Sequence, residues 1–212
     1  MPQPLVIRHP LVEHHLTRLR DQSTPPWEFR QLLRRLAALL AYDATRDLQT
    51  ATREVLTPLV RTQGQVLTDR VGLVPILRAG LGMVDPILDL IPTAEVWHLG
   101  VYRDEATARP VEYYSKIPTT QPVDVALVLD PMLATGGSAG AALSALRTWG
   151  VPRVKLLSVI ASQPGLDRVQ RDFPETQIHV CAVDPTLNAQ RFIVPGLGDA
   201  GDRSFNTCRE TQ

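Results

Sequence analysis

The chain has 212 residues, enough to bury one large hydrophobic core. Its 22 Lys and Arg balance 22 Asp and Glu, so no basic excess points to nucleic acid or to an anionic membrane. Met1-Pro2-Gln3-Pro4-Leu5-Val6-Ile7-Arg8 shows no signal-peptide h-region, and the apolar stretch 71–91 is broken by Arg78, Asp85 and Asp89. The two cysteines, Cys181 and Cys208, lie outside metal-ligand spacing. A soluble, cytoplasmic protein with reduced thiols is the expectation.

Residues 1–22 carry His9, His14 and His15. His14 and His15 are adjacent, not at the i, i+4 spacing that places two ligands on one metal. Val12, Leu16 and Leu19 predict an amphipathic helix. Ser23-Thr24-Pro25-Pro26 reads as a helix start, a capping hydroxyl followed by prolines whose missing N–H is not needed in a first turn. From Trp27, the positions Leu32, Leu36, Leu39 and Leu40 keep helical spacing to about Asp47, with Arg30, Arg34 and Arg35 as the solvated face. Two helices ahead of the strands can cover a sheet or serve a subunit interface.

From residue 50 the pattern changes. Residues 55–60 and 65–67 read as short strands around Gly64. Residues 71–76 predict a buried strand ending in Leu77-Arg78-Ala79-Gly80, and a helix over 81–90 follows, with Pro86 as a point of kinking. Further strands are expected over 95–101, 123–129, 153–160 and 177–183, with helices over 139–149 and about 164–173. Strands alternating with helices predict an α/β fold with a mainly parallel twisted sheet flanked by helices, whose ligands bind beyond the carboxyl ends of the strands.

The stretch Val123-Asp124-Val125-Ala126-Leu127-Val128-Leu129-Asp130-Pro131 carries the clearest chemistry. A buried apolar strand stops at a carboxylate and a proline, and Thr135-Gly136-Gly137-Ser138 leads into a helix with Ala142, Leu143, Leu146 and Trp149 on one side and Gly150 as stop. Glycine lets the backbone approach an anion, several amides point one way, and the helix dipole favours negative charge. A Walker A loop needs Gly-Lys-[Ser/Thr], and a dinucleotide turn needs Gly-x-Gly-x-x-Gly; neither occurs here. A sugar phosphate fits what remains, with the acid on ribose hydroxyls and the cradle on the phosphate. A purely structural strand-turn-helix, with Asp130 capping a turn, is the alternative.

Two segments break the alternation. Tyr102 to Lys116 is polar and hairpin-like with a charged tip, either a solvated excursion or an active-site lid. Arg191 to Arg203 packs glycines and aspartates closely. That suits irregular backbone beside a ligand or a plain C-terminal turn, and it has too few oxygen ligands for a calcium loop.

Taken together, these segments resemble the uracil phosphoribosyltransferases, of the type I phosphoribosyltransferase fold. The resemblance is carried by Leu40-Ala41-Tyr42-Asp43-Ala44-Thr45-Arg46-Asp47-Leu48, Val74-Pro75-Ile76-Leu77-Arg78-Ala79-Gly80-Leu81-Gly82-Met83, Tyr102-Arg103-Asp104-Glu105, Asp130 through Ser138, and Pro195-Gly196-Leu197-Gly198-Asp199-Ala200-Gly201-Asp202. The departures are Pro86 and Asn206, each where the family pattern has Gly. The resemblance implies a single domain over 1–212, with an N-terminal helical segment to about 48, a protruding β-hairpin arm over about 102–118 and a base-binding loop over about 190–207.

It also implies transfer of a phosphoribosyl group from 5-phosphoribosyl 1-diphosphate to uracil N1, giving UMP and diphosphate, with Mg²⁺ held mainly by substrate. Arg78 and Arg103 are then expected on the diphosphate. Asp130 is expected on the ribose hydroxyls, with Pro131, Met132, Leu133, Ala134, Thr135, Gly136, Gly137 and Ser138 around the phosphate. Ile193, Gly198 and Ala200 would read the uracil edge through their main chain, and Asp199 would face the ribose and metal. Asp130, Arg103 and Asp199 are the catalytic candidates, and no general base stands out. A homodimer or higher homo-oligomer is implied, with GTP as a candidate activator and no membrane or nucleic-acid partner. An RNA-binding regulator on the same fold would show a basic face, and a purine-specific enzyme would lack this final Gly-rich loop.

Overall fold

The computed structural model describes residues 3–103, 110–115 and 120–207, with side chains outside 101–119. A short strand β1 (Leu5–Val6) precedes helix α1 (Pro10–Arg20), which buries Val12, Leu16 and Leu19. Helix α2 (Pro26–Ala44) buries Phe29, Leu32, Leu33, Leu36, Leu40 and Ala41 along one stripe. Pro26 takes the first helical position as expected, but Pro25 is the capping residue and makes no side-chain bond. The hydroxyls expected to cap α2 serve α1 instead: Thr24 Oγ1 donates to the Arg18 carbonyl at 2.6 Å, and Ser23 Oγ donates to Asp21 at 2.7 Å. A short-range hydroxyl satisfied the nearer orphan carbonyl. The arginines of α2 are not merely solvated, since Arg30 donates to the Ser204 carbonyl and Arg34 to Asp85.

Strands β2 (Thr50–Leu56) and β3 (Arg61–Leu67) form a separate antiparallel hairpin. Its turn is not at Gly64, which lies within β3 opposite Arg53. Thr57 Oγ1 accepts from the N–H groups of Leu59 and Val60, a hydroxyl turn around Pro58 that reverses the chain. Strand β4 (Val71–Leu77) is followed by a 3-10 turn (Ala79–Met83) and helix α3 (Val84–Leu90). Pro86 therefore falls in a first turn and kinks nothing. The strand expected over 95–101 is divided into β5 (Glu95–Val96) and β6 (Leu99–Arg103), and β7 (Pro110–Ser115) pairs antiparallel with β6 to make the expected hairpin.

The remaining elements alternate: β8 (Val125–Leu129), β9 (Met132–Leu133), α4 (Gly137–Trp149), β10 (Arg153–Ser162), α5 (Gln163–Asp172) and β11 (Gln177–Asp184). A small hairpin of β12 (Thr186–Leu187) and β13 (Ile193–Val194) and helix α6 (Ala200–Phe205) end the fold. Among the described residues the main sheet has nine strands in the order β1-β11-β10-β8-β4-β6-β7, with β5 beside β4 and β9 beside β10. All of its pairs are parallel except β6 with β7.

Side-chain alternation along β8 makes this a three-layer structure. Val125, Leu127 and Leu129 join the core under α1, α2 and α3, whereas Ala126 and Val128 join that under α4 and α5. From β4 the chain moves outward to β6, then returns to the other side of β4 as β8 and continues to β10 and β11. Connections therefore diverge at the carboxyl ends of β4 and β8, the place where an open α/β sheet forms its crevice. Arg78 follows β4 and Asp130 follows β8. The two ends touch at Gly80, where a Cβ would lie 2.4 Å from the Leu129 carbonyl oxygen.

Candidate active site

Beyond β8, a cavity of about 160 Å³ is lined by Asp130, residues 132–139 and Arg191. Its floor is the turn into α4. Gly136 caps that helix at φ +73°, in the left-handed region, and a Cβ there would meet the Gly165 carbonyl oxygen and the Val169 side chain, each at 3.2 Å. The first intrahelical bond runs from Gly140 N–H to the Gly136 carbonyl, leaving the amides of Gly137, Ser138 and Ala139 without helical partners. Helix α5 ties the turn from behind. Ser162 Oγ donates to the Ala134 carbonyl at 2.5 Å, and Arg168 donates to the Thr135 carbonyl at 3.3 Å. With those carbonyls drawn towards α5, the cavity is left with amide and hydroxyl donors, the lining an anion needs.

Asp130 stands at the rim. Its own N–H donates to the Leu157 carbonyl at 3.2 Å, and Oδ1 accepts from Met132 N–H at a long 3.3 Å. Burial pushes its pKa from the ordinary carboxylate value up to about 7, against the smaller opposing pull of that amide. A carboxylate so poorly solvated by protein donors is poised to accept hydrogen bonds from ligand hydroxyls. Pro131, in contrast, is buried and does not line the cavity. Its carbonyl accepts from Val159 and Ile160, which steps the pairing of β10 from β8 to β9.

A cis peptide joins Leu77 to Arg78. The Arg78 guanidinium donates to Asp202 Oδ1 at 2.6 Å and to Thr207 Oγ1 at 3.4 Å, and lies 5.7 Å from the Phe205 ring centroid. The Thr207 hydroxyl, and then Arg78, hold the Asp202 carboxyl below its ordinary pKa. Arg78 is thus brought against α6 and the Gly-rich segment, and its side chain keeps 52% of its surface exposed. Asp199 caps α6, its Oδ1 accepting from Asp202 N–H at 2.9 Å. Asn206 ends α6 in the left-handed conformation that Gly would otherwise supply.

The Gly-rich segment is bolted to α1. Arg20 donates to both oxygens of Asp184 at 2.8 and 2.7 Å and to the Gly196 carbonyl at 2.7 Å, while Gly196 N–H donates to Asp184 at 3.0 Å. Arg203 donates to the carbonyls of Leu19, Asp21 and Leu197 and lies 4.5 Å from the Phe29 ring centroid. In the sequence, Arg20 looks like one more helix arginine and Asp184 like a strand end, so nothing local marks this anchor. Arg191, which lines the cavity, likewise carries no local signal in the sequence.

The structure therefore brings Asp130, Met132, Leu133, Ala134, Thr135, Gly136, Gly137 and Ser138 together. Around Gly201 it brings Arg78 and Asp199 together, at the start of α6 where Ala200 lies. Gly198 is exposed just ahead of Asp199, and Ile193 is buried and pairs with Leu187. Arg103 ends β6, and its side chain lies outside the described ones.

The uracil phosphoribosyltransferase family model matches residues 6–207. The chain belongs to the uracil phosphoribosyltransferase family. It is 56% identical over 207 residues to a uracil phosphoribosyltransferase of Roseiflexus sp. (strain RS-1), covering 98% of this chain and 100% of the relative. A uracil phosphoribosyltransferase of Symbiobacterium thermophilum is 51% identical over 208 residues with the same coverage. The AQ2163 protein from Aquifex aeolicus superposes with a TM-score of 0.90 at 36% identity, over 96% of this chain and 98% of that one. Family membership fits the α/β sheet with its crevice at the β4 and β8 ends.

Proposed function

We propose that the site transfers the 5-phosphoribosyl group of 5-phosphoribosyl 1-diphosphate to uracil N1, releasing diphosphate and forming UMP. The observation that carries this is the cavity shared by Asp130 and the Thr135-Gly136-Gly137-Ser138 cradle, in a chain of this family. As the C1–O bond to diphosphate breaks, positive charge grows on the ribose and negative charge on the leaving group. Orientation and charge stabilisation then carry the rate.

The cradle amides hold the phosphate, and ionised Asp130 accepts from the ribose hydroxyls, fixing the ring. Arg78, with Arg103 from the hairpin arm, takes the leaving diphosphate. Main-chain groups of Ile193, Gly198 and Ala200 face the uracil edge, and Asp199 faces the ribose. The hard carboxylate oxygens of Asp130 and Asp199 suit Mg²⁺, which takes one or two carboxylates and completes its shell with substrate oxygens and water. When bound, the ion neutralises charge on the diphosphate.

Product formation from uracil and 5-phosphoribosyl 1-diphosphate tests the reading directly, with and without chelator and with and without GTP. GTP activation rests on the resemblance and a cytoplasmic location on the sequence's composition; among the described residues no helix is long and apolar enough to cross a membrane. The base specificity gives a sharper check. Uracil presents acceptor, donor and acceptor at O2, N3–H and O4, whereas cytosine reverses the last two. Backbone groups cannot swap donor for acceptor, so each reversal costs about 1–3 kcal/mol. Competitive kinetics should show strong rejection of cytosine and acceptance of 5-fluorouracil. Comparable kcat/KM for cytosine and uracil would remove backbone readout.

A homo-oligomer is the assembly we propose. The β2–β3 hairpin carries Leu56 at 75%, Leu59 at 94% and Val60 at 64% exposure. A lone two-stranded hairpin is marginal in water, and a second copy covering these apolar residues stabilises it. Sedimentation should give a dimer or larger for the wild type and a smaller species for Leu59→Asp; unchanged mass for that variant would exclude the hairpin from the interface.

A further inference from the structure

We infer that Arg191 is the cationic partner of the 5-phosphate in the cradle, an inference that rests on the phosphoribosyl reading above. The amides of α4 and the hydroxyls of Thr135 and Ser138 supply donors but no full charge, whereas a phosphate monoester brings about −1.5 to −2 at neutral pH. Among the described residues lining the cavity, Arg191 is the one with a positive charge.

The turn between β12 and β13 delivers it. Asn188 N–H donates to the Phe192 carbonyl, Phe192 N–H to Asn188 Oδ1 and Arg191 N–H to the Asn188 carbonyl, each at 2.9 Å. These bonds close the turn with Arg191 at φ +66°, a conformation that Gly or Asn enters more easily. The turn itself does not call for a long cationic side chain, but the neighbouring cradle does. The Arg191 side chain is exposed, and its guanidinium has no hydrogen-bond or ion-pair partner among the described residues. Arginine matches phosphate with two parallel N–H donors, a geometry the point charge of lysine lacks. Strand β13 begins two residues later. A phosphate that draws Arg191 over the cavity therefore also fixes the strand entering the Gly-rich loop.

The test compares UMP with uridine, which differ by the phosphate alone. Arg191→Gly removes the side chain and relaxes the left-handed backbone, so the fold is not put at risk; Arg191→Lys keeps the charge. Calorimetric titration should show that the wild type binds UMP more tightly than uridine. Arg191→Gly should narrow that preference roughly 10- to 100-fold with uridine affinity unchanged, and Arg191→Lys should restore part of it. Full retention of the UMP preference in Arg191→Gly, or equal loss for both ligands, overturns the role of Arg191. Equal binding of UMP and uridine by the wild type overturns the cradle reading itself.

Discussion

Asp130→Asn should lose turnover by roughly 100-fold or more, because each hydrogen bond from a ribose hydroxyl to a charged acceptor contributes about 1.5–3 kcal/mol. The same change should raise stability above neutral pH. The sign follows from the raised pKa of about 7 in the folded protein against an ordinary carboxylate near 3.8 when unfolded. Between those values the folded state holds a proton that the unfolded state has released, so the contribution of Asp130 to stability falls as pH rises through that window. Above pH 7 the folded protein carries the full penalty of a poorly solvated carboxylate, which Asn does not have. Melting temperatures of wild type and variant should therefore converge at low pH, and the variant should melt higher at pH 8. In the free wild type, kcat/KM for 5-phosphoribosyl 1-diphosphate should decline as pH falls below about 7, as the ionised acceptor is lost. A variant that melts lower at pH 8 and keeps near-normal kcat/KM would mean that Asp130 is a structural cap.

What the sequence made legible is what local chemistry determines. The strand-acid-proline-glycine order of 125–138 was readable because each step has a residue-level cause, and the cavity lies where that order puts it. The hairpin turn at Thr57 was misplaced because Gly64 is the louder signal, yet the hydroxyl of Thr57 makes the turn. Part of the segment 40–48 that carried the family resemblance proves structural. Asp43 Oδ2 lies 3.3 Å from Nδ1 of buried His179, and Asp47 pairs with buried Lys155. Neither pairing has a local signature, since the partners are more than a hundred residues apart. Arg20 and Arg191 are illegible for the same reason: tertiary placement alone separates them from arginines on a solvated face.

Asp184→Ala should cost more stability than any change in the cradle, and should weaken uracil binding from a distance. Asp184 keeps 6% and Arg20 23% of side-chain surface exposed, so removing the carboxylate strands a guanidinium in a largely dry site. Breaking such a pair costs about 3–5 kcal/mol, with the lower end expected here because Arg20 retains some water; for a chain of this size that is roughly a 10 °C fall in melting temperature. Asp184 also accepts from Gly196 N–H, and Arg20, which Asp184 orients, donates to the Gly196 carbonyl, so the backbone of the proposed uracil loop loses one fixed point and the support of the other. KM for uracil should rise more than KM for 5-phosphoribosyl 1-diphosphate. The double variant Arg20→Met with Asp184→Leu separates the two effects. An apolar pair of similar volume is often as stable as the ion pair it replaces, so melting temperature should largely recover. The Gly196 N–H and carbonyl remain unpaired in that variant, so the uracil KM should stay high. Recovery of both together would show that the pair supports only the fold, and single variants with unchanged melting and KM would show that it anchors nothing.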